Sequence, residues 1–76
     1  MNNMSNYLIR NQRYDDAIKY LNELVELNIA TKEVFNSLGV AYKGLDNDTK
    51  AREMFNEALK LDSNFDLAKG NLESLN

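Results

Sequence analysis

Two carboxylate pairs, Asp15 with Asp16 and Glu53 with Glu57, have the residue types and spacing to support general acid–base chemistry or to hold a hard divalent cation. Neither pair has the helpers that such chemistry needs. The chain contains no histidine and no cysteine, so Ser-His and Cys-His nucleophiles lack their base and the usual zinc ligands are missing. Its three glycines, Gly39, Gly44 and Gly70, stand apart and build no phosphate-cradling loop. Asp46-Asn47-Asp48 has the alternation of a calcium loop but is followed by neither the turn glycine nor the distal glutamate, and reads as a helix-capping turn. Asp15, Lys19 and Glu23, like Lys69 and Glu73, are spaced by four, which is the pattern of a solvated helix face. Phe35, Tyr42, Phe55, Tyr14 and Tyr20 fall mostly on apolar stripes, where core packing explains them better than base stacking. The inventory points away from an enzyme and away from any cofactor or metal.

Charge and length narrow the partners. Nine Lys and Arg against twelve Asp and Glu give a net charge of −3 with no basic run, which disfavours nucleic acid. No apolar stretch approaches the roughly 20 residues needed to span a bilayer. The start, Met1-Asn2-Asn3-Met4-Ser5-Asn6, lacks a charged segment followed by an apolar one, so a cytoplasmic location is expected. A chain of 76 residues is one domain, and such a chain hides only ~60–65% of the surface that its unfolded form exposes. Dense helix packing or association must supply its stability.

The elements that position these residues are helical. Proline is absent, and apolar residues recur in steps of three and four at Tyr14, Ala17, Ile18, Leu21, Leu24 and Val25. The spacing returns at Val34, Phe35, Leu38, Ala41, Tyr42 and Leu45, and at Ala51, Met54, Phe55, Ala58 and Leu59. Weaker periodicity at Met4, Tyr7 and Leu8, and at Phe65, Ala68, Leu72 and Leu75, adds a shorter helix at each end. The fold class is therefore all-α, with about five helices joined by short polar turns that force neighbours antiparallel. Thr31, Asn47 or Asp48, and Ser63 or Asn64 are the candidate N-caps.

Sliding the chain along itself by about 34 residues pairs Ala17 with Ala51, Asn22 with Asn56, Glu23 with Glu57 and Leu27 with Leu61. Leu21 then meets Phe55, Val25 meets Leu59, Met4 meets Leu38 and Leu8 meets Tyr42. Phe35, Leu38, Gly39, Tyr42, Ala51, Phe55 and Ala58 match the pattern W-x2-L-G-x2-Y…A-x3-F…A in type and spacing, and on these residues the chain resembles the tetratricopeptide repeat family. Ala58-Leu59-Lys60-Leu61-Asp62 and Tyr14-Asp15-Asp16-Ala17-Ile18 also look like parts of its repeat. The resemblance implies antiparallel helical hairpins stacked as a short right-handed α-solenoid. It divides the single domain 1–76 into a first repeat, truncated at its start, over about 1–31, a second over about 32–65, and a capping helix over about 66–76. Gly39 and Ala51 are expected to let two helices approach closely.

The sequence departs from the family pattern where helices end. The usual proline after a repeat is Ile29 and Ser63, and the glycine usual inside a hairpin is Gln12 and Asp46. Asp tolerates left-handed backbone, and Gly44 is expected to compensate by ending its helix early. Lys69 and Glu73 replace an aromatic and a small contact residue, which gives the last helix a polar outer face suited to closing a stack.

The resemblance implies function as well. In this family the first helices of successive repeats line a concave groove that holds a segment of another protein. Here they present Asn2, Asn3, Asn6, Asn36, Ser37, Val40, Lys43 and Asn71. Asparagine both donates and accepts, so such a ladder can bond the main chain of a bound peptide while reading little of its side-chain sequence. One branch of the family grips the C-terminal carboxylate of chaperones. Of its positions only Asn6 keeps the expected type, while Ser37, Leu67 and Asn71 replace an asparagine, a lysine and an arginine, so that ligand is disfavoured. The expected function is a non-enzymatic protein–protein interaction module with a protein or peptide partner. The alternative is a structural module that self-associates as a homodimer or helix-swapped oligomer, completed where Met1, Met4, Tyr7 and Tyr20 leave apolar surface.

Overall fold

A computed structural model of the chain describes the backbone of residues 3–75 and the side chains of 7–75. The periodic segments form α1 (Asn3–Arg10), α2 (Tyr14–Glu26), α3 (Lys32–Gly44), α4 (Asp48–Leu61) and α5 (Asp66–Glu73). As expected, the fold is all-helical, a stack of antiparallel hairpins of the tetratricopeptide type.

Helix starts follow the capping chemistry at two of the three proposed places. Thr31 Oγ1 accepts from the Val34 amide at 3.3 Å and Asn47 Oδ1 accepts from the Lys50 amide at 3.3 Å. Ser63 and Asn64 do not cap α5. That helix begins one residue later, with Phe65 at the N-cap and no side-chain acceptor there. Asp62 Oδ1 instead accepts from the Asn64 amide at 3.0 Å, which closes the turn before the helix starts.

Helix ends are where this sequence carries strain. Gln12, Asn28 and Asp46 all sit in left-handed backbone, at φ 62, 61 and 61. Each follows a pair of bonds that wraps the last turn: Gln12 N–H to Ile9 and Arg13 N–H to Leu8, then Asn28 to Val25 and Ile29 to Leu24, then Asp46 to Lys43 and Asn47 to Tyr42. Gly44 has no such conformation and does not make the turn. Its lack of a side chain serves packing instead, because a Cβ placed there would lie 2.4 Å from Cε1 of the Tyr14 ring.

Ala17, Leu21, Val34, Leu38, Ala41, Ala51, Phe55, Ala58 and Ala68 are buried almost completely. Leu8, Ala17 and Ala41 form one cluster with Ile9, Tyr14 and Ile18 against it, and Leu21, Val34 and Leu38 form a second that gathers Phe35, Tyr42 and Met54. An equally close approach lies at Gly39, where a Cβ would meet Cε1 of the fully buried Phe55 ring at 2.4 Å. This is the α3–α4 contact that the small residues of the motif anticipate. Every other helix touches α3.

Gly39→Ala should destabilise the fold by about 1–3 kcal/mol, because a buried ring has nowhere to retreat; adding Phe55→Leu should recover part of the loss in urea unfolding. Gln12→Gly and Asp46→Gly should each stabilise by roughly 0.5–1 kcal/mol, read as a higher urea midpoint at unchanged slope.

Candidate protein-binding groove

The odd-numbered helices form one layer. α3 touches both α1 and α5, whereas the backbones of α2 and α4 do not approach each other. The helices α1, α3 and α5 thus form a continuous layer, while α2 and α4 stand apart on the other side of it. The proposed groove residues on α3 and α5 belong to that layer.

On α3 those residues follow the helix period. Asn36 and Val40 are half-buried and Lys43 is exposed, but Ser37 turns into the protein with 9% of its surface left and presents little to the groove. Asn71 Nδ2 donates to Asn36 Oδ1 at 3.0 Å, so these two proposed residues meet each other. Lys43 Nζ donates to Ser74 Oγ at 2.6 Å, and that hydroxyl donates to the Asn71 carbonyl at 2.7 Å. Asn2 and the side chains of Asn3 and Asn6 lie outside the described residues; the backbone of the last two belongs to α1, beside α3.

The structure thus adds Ser74, which the motif comparison did not single out. Its signal was available, since Leu67, Gly70, Asn71 and Ser74 are spaced i, i+3, i+4 and i+7 and make one stripe of α5. Leu67 is 65% exposed, and a Cβ on Gly70 would meet nothing within 4 Å.

A second polar tie closes the other end of the α3–α5 seam. Lys32 Nζ donates to Asp62 Oδ2 and stands 4.8 Å from the centroid of the Phe65 ring. The bond from Lys32 holds the Asp62 carboxyl below its usual range, helped by the Asn64 amide, and the same bond raises the Lys32 ammonium. Outside the groove, a shallow depression lined by Glu53, Met54, Asn56, Glu57, Leu59 and Lys60 runs along α4 alone. Among the described residues no three acidic side chains gather as a metal site, and no helix is long and apolar enough to cross a membrane.

Helical hairpins packed in two layers, with a small residue facing a buried aromatic between them, define a repeat protein built to present a surface. The chain belongs to the tetratricopeptide repeat family, whose model matches residues 1–28 and 33–65. The Heat shock protein STI1 of Saccharomyces cerevisiae is 31% identical over 64 residues, covering 84% of this chain and 11% of that relative. The chain thus spans about a ninth of the length of the curated relative it matches. No solved structure matches it. Membership places the chain among protein–protein interaction modules.

The depressed Asp62 value carries a pH signature. A carboxyl whose folded value lies below its unfolded one adds stability above the unfolded range, and that contribution vanishes as pH falls through the folded value. Asp62→Asn should therefore lower the melting temperature at neutral pH and flatten its decline below about pH 4, followed by circular dichroism.

Proposed function

We propose that this chain holds a short segment of a partner protein across the concave face of α1, α3 and α5, without catalysis of its own. The observation that carries the reading is the polar seam between α3 and α5. Asn36 uses its Oδ1 and Asn71 its Nδ2 in their mutual bond, and this leaves an amide NH2 on α3 and an amide oxygen on α5. A peptide main chain repeats the complementary pair, one carbonyl and one N–H per residue. The side chains of Asn36, Val40, Lys43 and Asn71 would make the contacts, with Asn2, Asn3 and Asn6 extending them onto α1. Ser37, being buried, would support the wall from behind. A cytoplasmic protein or peptide is the partner this reading expects, and neither a cofactor nor nucleic acid enters it.

Self-association is the second reading, and one observation favours it. Leu27, Ile29 and Leu61, at the α2–α3 and α4–α5 turns, keep 68%, 53% and 59% of their surface exposed. A sedimentation series over concentration separates the two readings, since a groove binder stays monomeric while a self-associating module gains mass and melting temperature together.

The groove is tested by selecting peptides from a random display library and mapping their amide shifts by NMR. Selected peptides should perturb α3 and α5, and Val40→Glu should weaken them about tenfold or more by placing a charge in the seam, while Glu57→Lys on α4 leaves them unchanged. Shifts confined to α4 would overturn the reading.

A further inference from the structure

Resting on the groove reading, we infer that the α3–α5 seam selects a peptide carrying an apolar side chain and, about three residues away along its chain, an acidic side chain. The two ends of the seam differ in chemistry. At the α5 N-terminal end Leu67 is 65% exposed, and one turn later Gly70 leaves bare backbone with open space where a side chain would stand. An exposed leucine beside a glycine gap is a seat for one apolar side chain of a ligand, whose backbone can come close there.

The opposite end carries charge. Lys43 is exposed in the last turn of α3, and its ammonium spends one hydrogen on Ser74, so two remain for a ligand. At the Leu67 end the acids are Glu33 in the first turn of α3, Asp62 and Asp66, against two cations: Lys32, engaged by Asp62 and the Phe65 ring, and Lys69, which also acts on Asp62. A carboxylate on the ligand is repelled at that end and attracted at the other, with Glu73, next to Ser74, the acid standing against it there. Charge therefore fixes which end of the seam takes the acidic side chain.

Helix geometry sets the spacing. Leu67 and Ser74 are separated along α5 by roughly 10 Å at ~1.5 Å per residue, and an extended peptide covers that distance in about three residues at ~3.3 Å each. Asn36 and Asn71 lie between the two seats, where the peptide main chain would pass.

An oriented library of short peptides, acetylated at the start and amidated at the end, tests the inference, because any acid selected must then be a side chain. Binding is read by fluorescence anisotropy and by amide shifts on the intact chain. Enrichment of an apolar residue with Asp or Glu about three positions away, before or after it, is expected. Lys43→Met should weaken such a peptide about fivefold and leave its Asp→Asn counterpart unchanged, while Leu67→Ser should erase the apolar preference. Peptides that perturb α3 and α5 without an acid preference, or with one that Lys43→Met does not move, would overturn the inference and leave the groove standing. If no library member perturbs α3 or α5, the groove reading falls with it.

Discussion

The absence of a side chain at Gly39 lets the Phe55 ring lie directly on the α3 backbone, and the architecture depends on that contact. Ala51 and Ala58, on the same side of α4 as Phe55, are buried completely beside it. Once that hairpin is set, Val34 and Leu38 point back toward Leu21, and α2 closes over them. Ala68 then brings α5 against the remaining side. The charged residues take little part: the three ion pairs among the described residues are exposed or half-exposed, and surface pairs of this kind contribute about 0–1 kcal/mol each.

Much of this was legible in the sequence because packing imposes a period. The stripe from Tyr14 to Val25, and the Gly39, Ala51 and Phe55 spacing, can be satisfied only by amphipathic helices that approach closely, so helix number, order and core follow from residue type. The ends were less legible. Ser63 and Asn64 have the chemistry of a cap, but the turn spent Asp62 on the Asn64 amide and carried the helix start past both of them. Gly44 invited a conformational explanation, yet its hydrogen makes room for a tyrosine from the preceding hairpin. Sequence offers no way to see a ring arriving from elsewhere in the chain.

The groove shows the same division between period and pairing. Helical spacing placed Asn36, Val40 and Lys43 on one face of α3, and the structure keeps them there, but it turns Ser37 inward. What spacing could not supply was which residues meet across the seam. The Asn36–Asn71 bond and the Lys43–Ser74 bond depend on the offset between two parallel helices, a distance that no single helix encodes.

The position of α3, in contact with each of the other four helices, has a consequence for how the molecule comes apart. Long solenoids behave as one-dimensional chains of coupled units, in which a seam between repeats can open while the rest persists. Here both seams draw on one helix, because α1 and α2 meet the second repeat through α3, and α5 meets it through α3 and α4. Damage along α3 is therefore felt on both of its sides, in the hairpin before it and in α5 after it.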